Sequence, residues 1–99
     1  PAPVIHEVSM IDNEYIPKEL TIKVGDTVKW VNNGTLDHDA RSDNGTTFSS
    51  ESEYPGPTFM GPGDEFEFTF TSEGVIPYFC ILHGAPGGIG MAGTITVTP

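Results

Sequence analysis

Apolar and polar residues alternate with a period of two through most of the chain, a pattern that predicts strands and gives no helical period. Val4, Val8 and Met10 alternate with Glu7 and Ser9 around His6, predicting a first strand from Val4 to Ile11 that ends where Asp12-Asn13 starts a turn. Leu20, Ile22 and Val24 alternate with Thr21 and Lys23; after Gly25-Asp26, Val28 and Trp30 resume the pattern, so the segment reads as a hairpin. From Asn32 to Gly61 the alternation disappears among Asn, Gly, Asp, Ser and Pro, predicting long connections with short strands only around Phe48 and Phe59. Phe66, Phe68 and Phe70 then alternate with Glu65, Glu67, Thr69 and Thr71, which gives a strand with one aromatic face and one wet face. Val75 to Cys80 is a short β-prone run, Leu82 to Gly90 is a glycine-rich loop, and Thr94 to Thr98 is a closing strand. About seven to eight short strands separated by turn signals predict an all-β fold, an antiparallel sandwich with Trp30 and the phenylalanine row in its core.

With 99 residues the chain is expected to form a single domain, 1–99. Its 12 glycines and 9 prolines fit a turn-rich ordered protein. No stretch reaches the roughly 20 apolar residues of a membrane span, so no membrane insertion is expected. The first residues, Pro1-Ala2-Pro3, carry no initiator methionine, and the chain is read as a mature exported protein, periplasmic or otherwise extracytoplasmic, from which a leader or anchor has been removed. A net charge of -10 argues against nucleic acid and anionic lipid as partners. The same acidity either steers a basic partner protein toward the surface or simply keeps the protein soluble.

The single cysteine, Cys80, has no intramolecular disulfide partner, so an exported chain leaves its thiol to be explained. Cys80 and His83 share one short loop after a strand, Met91 closes that loop between Gly90 and Ala92, and His38 sits in a separate loop far upstream. One thiolate, two imidazoles and one thioether are the ligand set of a blue-copper site, with three strong donors near a plane and a long axial methionine. A lone Cys–His pair is often ordinary packing; the strand before it, the methionine after it and the strand beyond shift the balance toward a metal. Zinc fits the same donors but would leave the thioether unused. Nucleophilic catalysis by Cys80 and His83 lacks an orienting third group. Met10 and Met60 read as packing residues. His6 has no second donor near it in sequence. Phe79, of opposite parity to Cys80, is expected to face outward.

Val28-Lys29-Trp30-Val31-Asn32-Asn33 followed by His38, then Tyr78-Phe79-Cys80, and Gly90-Met91-Ala92-Gly93-Thr94-Ile95-Thr96-Val97 together resemble the plastocyanin and pseudoazurin branch of the cupredoxins, the type 1 blue copper proteins. The resemblance implies a Greek-key β-sandwich, one copper ion, His38, Cys80 and His83 as equatorial ligands, and Met91 as the axial one. The chain departs from that branch in two places. Seven residues, Gly84 to Gly90, separate His83 from Met91 where four are usual. The added residues either bulge outward and leave Met91 at the metal, or let Met91 pull back and open the axial position. The second departure is Asp39, where plastocyanins often carry asparagine; a carboxylate there is expected to hydrogen-bond the ligand loop and to lower the copper's potential.

The resemblance implies a carrier of single electrons that meets a redox protein transiently at His83, among Leu36, Ile81, Leu82, Ala85, Pro86 and Ile89. An opened copper position would instead suit a small-molecule ligand such as nitric oxide, and the lengthened loop is similar in character to that of the purple cupredoxins of ammonia-oxidising archaea. Copper storage or delivery is a third reading.

Overall fold

A computed structural model describes residues 2–55 and 59–99. Its strands are β1 (Ile5–Ile11), β2 (Glu14–Ile16), β3 (Glu19–Lys23), β4 (Thr27–Asn32), β5 (Arg41–Ser42), β6 (Glu65–Thr69), β7 (Gly74–Ala85) and β8 (Ile89–Thr98), with one 3-10 turn at Ser50–Ser52. They form two four-stranded sheets, ordered β2-β1-β4-β6 and β3-β8-β7-β5. The all-β sandwich expected from the alternation is therefore present. Among the described residues no helix is long and apolar enough to cross a membrane.

Two features differ from the periodic reading. β3 and β4 are not a hairpin: β3 pairs with β8 in one sheet, while β4 pairs with β1 and β6 in the other. At the crossing, Gly25 takes a positive φ of 95°. The backbone there is satisfied across the sandwich, Gly25 N–H donating to the Phe70 carbonyl at 2.8 Å and Phe70 N–H to the Asp26 carbonyl at 3.0 Å. Alternation marks which residues of a strand face the core, and it is the same whether the next strand lies beside it or opposite. The sandwich is also not wholly antiparallel, since β1 runs parallel to β4 and β3 parallel to β8. Both pairings follow from the chain visiting one sheet between two strands of the other. The short strands expected around Phe48 and Phe59 are reduced to single bridges, Arg41 with Ser49 and His38 with Met60.

The core is aromatic. Trp30 on β4 is fully buried and stacks on Phe48 at 4.8 Å and on Phe66 at 5.8 Å, with Tyr78 of the opposite sheet edge-on at 5.4 Å. Phe66 and Phe70 are buried and Phe68 partly so, as the row of alternate phenylalanines requires. Aromatic contacts of this kind contribute about 0.5–1.5 kcal/mol each beyond area burial. They tie the two sheets together on one side of the ligand strand β7. Gly93 on β8 is part of this packing: a Cβ there would meet the Tyr78 hydroxyl at 2.8 Å and the Lys18 carbonyl at 2.8 Å.

At the β3–β4 crossing Asp26 gathers three segments. Its carboxylate accepts from Val4 N–H at 3.0 Å and Lys23 N–H at 3.1 Å, and lies 2.9 Å from His6 Nε2. His6 is thus the partner of a carboxylate. The His6 hydrogen bond, followed by the two backbone donors, lowers the Asp26 carboxyl from 3.8 to about 2. A carboxyl depressed by folding stabilises the protein above its unfolded value, and that contribution is lost as pH falls through the folded value. Asp26→Asn is accordingly expected to lower the melting temperature at pH 7. The gap from wild type should narrow below pH 3.8 and close near pH 2 in a calorimetric pH series.

Candidate metal centre

His38 lies in the irregular stretch after β4, where no ladder holds the backbone, and side chains do that work instead. Asn32 sits at the end of β4 on the buried parity of Val28 and Trp30, and is fully buried. Its amide donates to the Leu36 carbonyl at 2.9 Å and the Met60 carbonyl at 2.8 Å, and its oxygen accepts from Gly34 N–H at 2.9 Å. His38 and Met60 then exchange both backbone hydrogen bonds at 3.0 Å. Asp12, from the β1–β2 turn, accepts from the Thr35 N–H at 3.0 Å, the Thr35 hydroxyl at 2.6 Å and the Leu36 N–H at 3.2 Å. Its other contact is His38 Nε2 at 3.0 Å. The Thr35 and His38 side chains hold the Asp12 carboxyl well below the usual carboxylate range. An anionic carboxylate only accepts, so Nε2 carries the ring proton and Nδ1 presents its lone pair.

That lone pair faces Cys80 and His83. β7 and β8 lose register between Phe79 and Gly84, so Cys80 and His83 fall in an irregular stretch whose side chains leave the pleat. His38 Nδ1 lies 3.1 Å from His83 Nδ1; Cys80 Sγ lies 3.9 Å from the former and 3.8 Å from the latter. The centre of this triangle is about 2 Å from every corner, the length of a bond from nitrogen or sulfur to a first-row transition metal. Cys80 and His38 are fully buried and His83 is half-buried, so the donors are dry on one side and reach the surface through one imidazole. Burial pushes the Cys80 thiol up, against the N–H groups of Asp39, Leu82 and His83 that point at the sulfur. Without a cation the thiol keeps its proton at neutral pH; a bound metal would stabilise the thiolate. Among the described residues this is the one group of three such donors brought within reach of a single ion.

The stretch after His83 differs from the expected loop. β7 and β8 re-pair as Gly84 with Gly90 and Ala85 with Ile89, forming a short hairpin arm. Its tip, Pro86-Gly87-Gly88, places both glycines at positive φ, 94° and 79°. Gly87 N–H donates to Asp43 at 2.9 Å. The added residues are taken up in this arm, and Met91 is fully buried in the same apolar cluster as Cys80. Phe79 is not the exposed aromatic that parity suggested. It is 8% exposed, paired with Arg41 on β5 and Ala92 on β8, because β7 has a neighbour on each side and Phe79, Arg41 and Pro86 line one depression on its outer face.

Asp39 does hydrogen-bond the ligand loop, accepting from Ile81 N–H at 2.8 Å. Its own N–H points at Cys80 Sγ from 3.5 Å, and its carbonyl accepts from the Tyr15 hydroxyl at 2.6 Å. Its second carboxylate oxygen is occupied by Arg41, a contact that sequence order does not suggest. Met10 and Met60 are fully buried, as expected of packing residues. Asp12 and Asn32 went unassigned in the sequence. The one signal for Asn32 was a polar residue at a core parity; Asp12 carried none beyond its turn.

A buried thiol and two imidazoles at the end of a two-sheet sandwich define a mononuclear metalloprotein of the copper–thiolate class. Residues 4–98 match the family described as copper binding proteins, plastocyanin/azurin family, and the chain belongs to that family. It is similar to the plastocyanin of Scenedesmus fuscus, 37% identical over 84 residues that cover 82% of this chain and 83% of the plastocyanin. It is also similar to the amicyanin of Paracoccus denitrificans, 33% identical over 77% of this chain and 56% of the amicyanin. Among solved structures, a purple cupredoxin from Nitrosopumilus maritimus superposes with a TM-score of 0.73 and 30% identity, covering 94% of this chain and 99% of that one. A copper-containing nitrite reductase from Thermus scotoductus superposes with a TM-score of 0.76 and 30% identity over the whole chain, which spans only 23% of the reductase. The protein is a cupredoxin and its cofactor is copper, with homologues among the copper electron carriers.

Asn32→Ala would strip the His38 loop of three hydrogen bonds and leave the Met60 carbonyl buried without its side-chain donor. Urea denaturation of the metal-free protein is expected to show a loss of about 2–3 kcal/mol.

Proposed function

We propose that residues 1–99 act as one domain that carries single electrons, with one copper ion held by His38, Cys80 and His83 and by Met91 in the axial position. The observation that carries this reading is the donor triangle, with sides of 3.1, 3.8 and 3.9 Å, whose two nitrogens and sulfur face one point. When bound, copper would supply the Cu(II)/Cu(I) couple. The chain's own part is to keep the donors still. Asp12 fixes the His38 ring, the His38–Met60 bridge fixes its backbone, and the register break in β7 is closed on both sides by ladder. Donors that move little between oxidation states keep electron transfer fast, and donors held by this many hydrogen bonds favour retention of copper over storage or delivery.

His83 is the half-buried donor and the point of electron entry and exit. Leu36, Ile81, Leu82 and Ile89 are exposed on the same loops and the arm. Such a surface suits a brief, mostly apolar contact with a redox protein, and the net charge of -10 favours a partner with basic residues around its own redox centre. Export to an extracytoplasmic compartment fits the plastocyanin and amicyanin relatives. The open-site reading needs Met91 drawn away from the metal, and burial of Met91 in the same apolar cluster as Cys80 supports the carrier instead.

The visible spectrum of the Cu(II)-loaded protein tests the assignment. Wild type is expected to show an intense thiolate-to-copper band, blue or purple according to the axial interaction, and Cys80→Ser is expected to lose it; a colourless wild type would sink the proposal. Replacing Leu36 by lysine is expected to slow electron exchange with a redox partner that carries basic residues around its centre several-fold while leaving that band in place. Equal rates in stopped flow would remove the apolar patch from the proposal.

A further inference from the structure

Asp39 is 2% exposed and lies between the thiol and the ligand loop, its N–H 3.5 Å from Cys80 Sγ and its Oδ1 2.8 Å from Ile81 N. A buried carboxylate at this place carries two consequences. It pins the residue that follows the cysteine, and it puts a negative charge beside a thiolate that is negative itself when metal is bound. Left alone, that charge would favour the more positive metal state and cost folding energy. Arg41, the chain's one arginine, answers both. Its Nε and Nη2 both donate to Asp39 Oδ2, at 2.9 and 2.7 Å, in the fork geometry that a lysine lacks. Arg41 is held in turn by β5, where it pairs with Phe79 on the ligand strand, and the same Nη2 lies 3.6 Å from the exposed Glu51 carboxylate.

We propose that Asp39 and Arg41 form a charge-neutral brace, in which the carboxylate fixes Ile81 behind the cysteine and the guanidinium cancels that carboxylate's effect on the reduction potential. Both are positioning residues, since neither faces the centre of the donor triangle. The inference rests on the copper reading above. It alters the expectation drawn from Asp39 alone, because a carboxylate paired in this way no longer lowers the potential by its full charge.

The test compares Arg41→Gln, Asp39→Asn, their double variant and Asp39→Ala by two measurements: spectroelectrochemical titration of the copper-loaded protein, and amide hydrogen exchange of Ile81 in the metal-free protein. Arg41→Gln is expected to shift the potential down, Asp39→Asn to shift it up, and the double variant to return close to wild type. Asparagine still offers an oxygen to Ile81, so its amide should stay protected in Asp39→Asn, whereas Asp39→Ala should exchange about tenfold faster, the equivalent of one hydrogen bond. Single-variant potentials that move together, or not at all, overturn the charge cancellation, and so does a double variant that fails to return. The double variant carries no unpaired buried charge and answers the question even where Arg41→Gln is too unstable to load. A wild type that takes up no copper would sink the functional reading; Ile81 exchange then decides the brace alone, and equal rates in wild type and Asp39→Ala overturn it.

Discussion

One sulfur and two imidazole nitrogens within 4 Å of one another make sense inside a folded protein only when other groups hold them there, because each would otherwise turn to water or to its neighbour. Much of the structure around them meets that requirement. The His38 loop has no strand ladder of its own, so Asn32 satisfies its carbonyls from below and Asp12 its N–H groups from above. Asn32 is fully buried with its hydrogen bonds complete, which is the condition under which buried polarity gives a defined geometry. Asp12 has the larger chemical effect, since its contact with Nε2 decides which nitrogen of His38 is free.

The other two donors depend on a failure of regularity. A continuous β7–β8 ladder would send successive side chains to opposite faces, and Cys80 and His83 would point apart. The register break between Phe79 and Gly84 removes that constraint for four residues, and the ladder resumes at once beyond it. The lengthened segment thereby becomes a paired arm tied to Asp43, and Met91 enters β8 already buried. Additional loop length has been converted into hairpin, the arrangement that disturbs the strand after it least.

Charge is organised at two levels. Across the surface the chain is strongly acidic, with 14 acidic residues against 4 basic ones. Close to the thiol the balance is local instead: Asp39 is met by Arg41. Buried charge next to a metal thiolate is tolerable when paired, while exposed charge acts at long range on whatever approaches. The two levels separate stability of the site from recruitment of a partner.

The alternation of Val28, Trp30, Phe66, Phe68 and Phe70 determined a β-sandwich with an aromatic core, because burial on one face imposes a period of two wherever the strand ends up. The same period could not assign β3 and β4 to opposite sheets, since a strand's inward residues are the same for a hairpin partner and for a facing sheet. Cys80, His83, His38 and Met91 were legible as a set because their chemistry is rare and their order resembles a known family. Their supporters were not. Asp12, Asn32 and Arg41 are ordinary residues in ordinary turns and strands, and parity sends Phe79 to the outer face of β7 without showing that its neighbours cover it there. Sequence determined which donors exist and the fold that holds them; only tertiary structure decided which nitrogen faces inward and which charges cancel, because those depend on contacts between residues far apart in the chain.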